Sequence, residues 1–328
     1  MRKRTLFSFA LSFVLVYLFF SHATMDDIVR SVKSVNLLFL MLAFFSHYVS
    51  YLVRGNRWKQ MIQQPGFSGG TLDLAKIIFL FQSVDCVLPA KLGDVYGAHL
   101  MKLNFSLSRS FSLGSIFLWR IIDFVIAMVI VVITAVTLFG NRIPSEILSA
   151  AKVTVPCLLA LLVFLGIFLR SHRWLLARFK SERIKGLIES FQKGLRLNGK
   201  LIPSLLVSTT AIWFLEAGRF YFVCRSMDVD VSLLAVLFVS TCSALLTAIP
   251  FTPSGLGAVE LGMVGLLTCV GIGNAAAYPL IIWDRVIAHW SQILFGIVLV
   301  LFSKAAHLKV WQFHEERVSS PKKGLTVP

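Results

Sequence analysis

The chain has 328 residues, of which 57% are hydrophobic and only 15% charged, with a mean hydropathy of +0.79. Soluble domains are nearer half apolar and a quarter charged, so these proportions exclude a soluble enzyme and describe an integral membrane protein with no space for a separate catalytic domain of ordinary size. The net charge of +16 would suit a nucleic-acid binder, but the basic residues lie between hydrophobic runs, as membrane topology requires, and no nucleic-acid partner is expected.

In chain order, Arg2, Lys3 and Arg4 precede an apolar run over 6–20. It reads as an uncleaved first span rather than a signal peptide, because many more spans follow. The run over 37–53 is a second span and leads into Arg54, Arg57, Trp58 and Lys59. Arg54 and Arg57 share a helix face and serve equally well as a positive stop-transfer flank or as forked donors to a lipid phosphate. Asp73, Lys76, Gln82 and Asp85 interrupt the next apolar run, which Pro89 ends. Residues 72–100 therefore predict a re-entrant hairpin or a pair of broken helices facing protein, with Lys91, Gly93 and Asp94 beside the turn. A long span over 113–139 carries Arg120 and Asp123 at i, i+3, a spacing that predicts their pairing.

The span 153–169 is followed by a loop, 170–200, with nine Lys/Arg. It reads as cytoplasmic, with a short amphipathic helix on the anionic leaflet surface. The span from Pro203 to 223 repeats the acid–base spacing in Glu216 and Arg219. Spans over 231–249, 256–272 and 276–302 complete the set. In the last, Asp284 and Arg285 are adjacent and point to different helix sides, so at least one needs a partner on another helix. His289 reads as an interior polar group. The five cysteines (Cys86, Cys157, Cys224, Cys242, Cys269) show no metal or redox spacing and read as core fillers.

Two breaks stand out. Residues 247–262 place Pro250, Pro253, Gly255 and Gly257 in an apolar run just before Glu260, and residues 87–95 repeat the order apolar run, Pro89, Gly93, Asp94. Broken backbone inside a membrane is tolerated only where protein or a wet cavity satisfies it, and paired breaks in two halves of a polytopic chain point to a transport site and to an inverted repeat. With both termini cytoplasmic, the assigned cytoplasmic segments hold 23 Lys/Arg: three at the N-terminus, three at 54–59, three at 91–109, nine at 170–200 and five after 303. The outer loops hold five. This bias supports eight full spans plus one re-entrant element, an all-α polytopic domain over 1–305 with a polar cytoplasmic tail over 306–328.

Four marks, Arg54…Arg57-Trp58, Leu88-Pro89-Ala-Lys-Leu-Gly93-Asp94, Arg120-Ile-Ile-Asp123 and Pro253-Ser-Gly-Leu-Gly-Ala-Val-Glu260, resemble the flippase-like family that also forms the transmembrane region of lysylphosphatidylglycerol synthases. The resemblance covers about residues 5 to 305. Trp119 stands where that family often has an acid, and Gly97 where a basic residue is frequent. The aminoacyl-transferring domain of the synthases is absent, so the resemblance implies the lipid-translocating half in a prokaryotic inner membrane.

The expected function is translocation of a phospholipid or polyprenyl-linked substrate through a charge-lined groove. Arg54, Arg57 and Lys91 are the candidates for phosphate, and Asp94, Glu260 and Asp284 for an amine or a coupling proton. Asp85, Arg120, Asp123, Glu216, Arg219 and Arg285 complete the lining. No catalytic residue, metal ligand or cofactor is expected. The expected partners are membrane lipids, with a lipid-synthesis enzyme and a second copy of the chain as further ones. The alternatives are a membrane-embedded glycosyl or acyl transferase, against which no metal-binding acid pair, acyltransferase motif or nucleotide loop appears, and a regulator of a lipid synthase acting through 170–200.

Overall fold

The computed structural model describes residues 12–19, 35–62, 67–140, 142–171, 178–247, 253–303 and 308–310, and the regular structure among them is helical. The first-span expectation over 6–20, Pro250 and most of the tail lie largely or wholly outside these residues. After a helical segment over 12–19 come α1 (Leu37–Met61), α2 (Thr71–Val87), α3 (Leu92–Phe105) and α4 (Arg109–Phe139). Then follow α5 (Ser145–Arg170), α6 (Glu182–Leu195), α7 (Ile202–Ser226), α8 (Leu233–Leu246) and α9 (Ala258–Cys269). Finally α10 (Asn274–Arg285) runs through a π turn, Val286–Trp290, into α11 (Ser291–Leu301).

Among the described residues, five runs are long and apolar enough to cross a bilayer: 37–61, 109–139, 147–170, 182–226 and 274–301. The protein is a multi-pass, all-α membrane protein. The 182–226 run joins α6 to α7 through a 3-10 turn at Gly199–Leu201, so the amphipathic helix expected in the basic loop exists but leads straight into a span. It packs on α4 where two glycines oppose each other. A methyl group on Gly194 would strike the Phe111 carbonyl oxygen, and one on Gly114 the Phe191 carbonyl oxygen. Small residues permit this backbone approach, which supplies helix association where lipid tails remove any hydrophobic drive.

Contacts at the helix ends set the directions. α1 and α7 pack antiparallel: the Asn36 N–H donates to the Ser226 carbonyl (2.7 Å) at one end, and the Ser204 hydroxyl donates to Gln60 (2.7 Å) at the other. The Asn104 side chain reaches the Lys309 carbonyl (3.2 Å).

Residues 72–100 form the broken pair that the polar pattern predicts. α2 and α3 are 17 and 14 residues long and fold back on each other about a turn at 88–91. The spans expected over 231–249 and 256–272 are shorter than anticipated. α8 and α9 have 14 and 12 residues, about 21 and 18 Å at 1.5 Å per residue, below the roughly 30 Å of a hydrocarbon core. They too form a hairpin: a methyl group on Gly262 would meet the Leu246 side chain. The fold thus carries two short helical hairpins of similar build.

Two apolar cores divide the bundle. One gathers α2, α3 and the start of α4 around Trp58, Phe81 and Trp119. The other gathers α8, α9 and α10 around Phe220, Phe238 and Leu280. α4 and α7 pass through both cores. Their charged residues, Arg120 and Asp123 on α4 and Glu216 and Arg219 on α7, sit where one core gives way to the other.

Candidate functional site

The charged layer is a chain of ion pairs. On α4, Arg120 donates through Nε (2.8 Å) and Nη2 (2.5 Å) to Asp94 of α3 and through Nη2 (3.2 Å) to Asp85 of α2. Three residues along, Asp123 receives a two-pronged pair from Arg57 of α1, whose Nη1 also donates to Thr209 of α7 at 2.8 Å. Arg57 is only 1% exposed, and its guanidinium lies 5.6 Å over the Trp119 ring. One turn back on α1, Arg54 donates to Glu216 of α7 at 2.9 Å. Glu216 also accepts from Ser50 (3.2 Å) and Arg219 (3.3 Å) and faces His47 at 3.7 Å. Arg219 reaches on to Asp284 of α10. The next residue, Arg285, stands 3.0 Å from Glu260 of α9.

Arg120 and Asp123 do not pair with each other, contrary to the i, i+3 expectation. A lone i, i+3 pair is worth a few tenths of a kcal/mol. Arg120 instead engages two carboxylates, and Asp123 a planar fork, and charge-assisted two-pronged contacts are the stronger kind. The Glu216–Arg219 pairing at the same spacing does form. Asp284 and Arg285, being neighbours on α10, diverge to α7 and α9, so both find partners on other helices.

The two hairpin tips close the chain into a ring. In the first tip Ala90 (φ 62°) and Lys91 (φ 55°) turn left-handed, and the Gly93 N–H donates to Asp85 (2.8 Å). Gly93 is required there, because a methyl group would strike the Phe81 carbonyl oxygen and the Asp85 carboxylate. In the second tip Ser254 (φ 48°) and Gly255 (φ 73°) do the same, Gly257 follows at φ 86°, and the Gly257 N–H donates to Glu260 at 2.6 Å. Pro253 opens this tip, and Pro89 is buried in the first. Residues 253–255 pack against α2, with Ser254 close to Cys86. Cys86 adjoins Asp85, so the ring returns to its start. Lys91 lies within electrostatic reach of Asp85, Asp94 and Arg120.

The ring is unevenly exposed. Arg120 is 33% exposed, and Arg54, Glu216, Asp123 and Asp94 keep partial access, whereas Asp85, Glu260, Asp284 and Arg285 are buried. Of the three side chains expected to contact phosphate, Arg54 and Lys91 retain access and Arg57 is walled in. Among the described residues, His47 Nε2, Arg285 Nη2 and His289 Nδ1 are buried without a hydrogen-bond partner. Such atoms are uncommon in folded proteins and call for an explanation.

His47, Ser50 and Thr209 escaped the sequence reading. The signal for the first two was present: His47, Ser50, Arg54 and Arg57 recur at helical spacing and mark one polar face of α1. Cys86 is not mere filler, since it sits at the tip contact, and Cys157 and Cys269 are exposed rather than in a core. The π turn has no composition cue, although such turns recur at functional sites. Here it starts just after Arg285 and contains His289, and Asp284, Arg285 and His289 are all buried.

These features define a class: a multi-pass membrane protein whose two interrupted hairpins meet inside a bundle threaded by ion pairs. The chain belongs to the family of the lysylphosphatidylglycerol synthase TM region, whose pattern matches residues 5–296. It is 33% identical over 217 residues to the UPF0104 membrane protein MJ1078 of Methanocaldococcus jannaschii, covering 66% of this chain and 92% of that one. It is 23% identical over 330 residues to the UPF0104 membrane protein PH1989 of Pyrococcus horikoshii (92% and 97% covered). It is also 23% identical over 290 residues to the glycosyltransferase AglD of Haloferax volcanii, covering 76% of this chain and 46% of that protein.

Proposed function

We propose that this protein moves a polar-headed lipid across a prokaryotic cytoplasmic membrane, with both termini on the cytoplasmic side. The observation that carries this reading is the ring of buried ion pairs closed by the meeting of two hairpin tips. Burying ion pairs costs desolvation that apolar packing avoids, so a bundle built for stability alone would not use them. Charges at membrane depth line substrate or ion pathways by default.

The end contacts and the charge bias fit one topology. Gln60, Ser204, Asn104 and Lys309 mark the cytoplasmic end, and Asn36 and Ser226 the outer end. The first hairpin then re-enters from the cytoplasm and the second from outside, and their tips meet near mid-membrane. This is the inverted arrangement in which transporters bind substrate.

The mechanism is ion-pair exchange. The twelve charged residues comprise six bases (Arg54, Arg57, Lys91, Arg120, Arg219, Arg285) and six acids (Asp85, Asp94, Asp123, Glu216, Glu260, Asp284). A headgroup phosphate takes the place of a carboxylate on Arg120 or Arg54. A headgroup amine, or a proton, occupies the carboxylate released. The crossing charge thereby exchanges partners instead of entering hydrocarbon, where it would cost roughly 3 kcal/mol or more. The test is leaflet exchange of headgroup-labelled lipids in proteoliposomes, with zwitterionic, anionic and polyprenyl-phosphate species, beside Glu260→Gln. Exchange of one class at a rate well above protein-free vesicles, lost in the variant, is expected. Equal rates with and without protein for every class would overturn the reading.

The likeness to a glycosyltransferase favours a second reading, transfer of a sugar onto a lipid carrier, although less than half of that protein is matched. Sugar appearing on a polyprenyl phosphate in the presence of the purified protein and an activated sugar donor would establish it.

A further inference from the structure

His47 lies two turns before Arg54 on the polar face of α1 and is 3% exposed. Among the described residues, neither of its ring nitrogens has a hydrogen-bond partner. Tyr48 and Tyr51 pack edge-on against the ring, at 5.2 and 5.5 Å between centroids. Nδ1 faces Glu216 Oε2 of α7 across 3.7 Å, too far for a hydrogen bond. The two helices already touch at this level. The Ser46 hydroxyl donates to the Leu215 carbonyl (2.6 Å), and a methyl group on Gly218 would stand 3.2 Å from the Ser46 oxygen. Closing the gap between His47 and Glu216 therefore takes a side-chain movement and no movement of a helix.

The two oxygens of Glu216 are divided between partners. Oε1 accepts from Arg54 and Ser50, and Oε2 accepts from Arg219 and faces His47. Arg219 also holds Asp284. The cations Arg54 and Arg219 balance the anions Glu216 and Asp284, so the cluster is neutral while the imidazole is neutral. A phosphate arriving on Arg54 would leave a net negative charge in the bundle, which is costly when buried. A proton on His47 cancels that charge and turns the 3.7 Å contact into a charge-assisted hydrogen bond on Oε2. Glu216 then keeps two cations when Arg54 leaves it. The other elements packed near α1 bring Asp123 of α4, which Arg57 holds, Cys86 of α2, within electrostatic reach of Tyr51, and His289 of the π turn.

We infer that His47 is a proton-binding site coupled to the Arg54–Glu216 pair: one proton taken up by His47 lets Arg54 exchange Glu216 for a headgroup phosphate, so that proton and phosphate bind together. The coupling is reciprocal, each ligand tightening the other. Histidine changes charge near physiological pH, and chains of His and acidic residues carry protons in membrane pumps and transporters. The proton enters by way of Glu216, whose side chain keeps 17% exposure. The use made of the phosphate rests on the translocation reading; the proton site does not.

The test is nitrogen NMR of the full chain, carrying isotope-labelled histidine, in nanodiscs over about pH 5 to 8. The ring signal lost in His47→Gln, or in His47→Phe, identifies the residue. An imidazolium is expected at the acidic end. Arg54→Gln should raise its proton affinity about tenfold and Glu216→Gln lower it about tenfold, the scale of one hydrogen bond to a charged group. Neither change strands a charge, since Arg219 stays on Glu216 in the first and Arg54 keeps solvent access in the second. Unchanged thermal unfolding shows the variants folded, and Arg54→Lys or Glu216→Asp, which weaken the same contacts, replace one that is not. A His47 ring that stays neutral throughout, or a titration indifferent to either partner, would overturn the proposal. In proteoliposomes, leaflet exchange should be several-fold faster at the acidic end and lose this dependence in His47→Gln; exchange indifferent to pH in the unaltered protein would overturn the coupling. The expected titration without leaflet exchange of any lipid would remove the transport reading and leave the proton site, and exchange with a neutral His47 would do the reverse.

Discussion

Arg57 shows what a single residue does in this bundle. Its guanidinium binds Asp123 and Thr209 and is almost wholly buried, so it ties α1 to α4 and α7 at once. Removing one partner of such a pair leaves a buried charge uncompensated and costs about 3–5 kcal/mol. Arg57→Gln should therefore lower the thermal unfolding temperature of the purified protein sharply. The double variant Arg57→Gln, Asp123→Asn should lose much less than the sum of the two single changes, because it leaves no orphan charge. Strict additivity would mean that the pair is not coupled. The candidate charges were legible one by one, since an acid or base in an apolar run is conspicuous. Their pairings were not, with Arg120 and Asp123 as the example. Spacing along one helix fixes which side chains share a face, but the choice between a neighbour on that face and a forked partner on another helix depends on packing.

At the scale of elements, the hairpins depend on close backbone contact. Gly93→Ala should open the first tip, because the added methyl group meets the Phe81 carbonyl oxygen and the Asp85 carboxylate. An overpacking loss of about 1–3 kcal/mol is expected, visible as earlier thermal unfolding and faster proteolysis at 88–91. Gly166→Ala is the contrasting case, for nothing lies within 4 Å of the position on α5. It should be neutral or stabilising by up to about 1 kcal/mol from helix propensity. The first hairpin was legible because Pro89 and four polar residues interrupt its apolar run. The second was read as two full spans, because hydropathy reports burial and not where a helix stops. α8 ends at Leu246, while apolar residues continue toward the tip.

At the scale of the whole molecule, the proposed topology has the two hairpins enter from opposite sides. Single-cysteine reporters at Lys200 and Arg225 should be labelled from opposite faces of the membrane, and labelling from one face would refute the topology. The family was legible in the Pro-Gly motifs, because broken backbone followed by an acid is rare in an apolar chain. The ring was not, because it is assembled from seven helices. For a headgroup to cross by the proposed ion-pair exchange, the hairpin tips have to part. Ser254 lies close to Cys86 across that junction, so Ser254→Cys, with the other native cysteines replaced, supplies a reversible lock. The decisive measurement is lipid leaflet exchange by this variant in proteoliposomes before oxidation, after oxidation and after reduction, with the crosslink confirmed by mass. The account predicts exchange in the reduced protein, a fall to the protein-free rate on oxidation and recovery on reduction. Exchange that is equally fast with the tips locked together would contradict it.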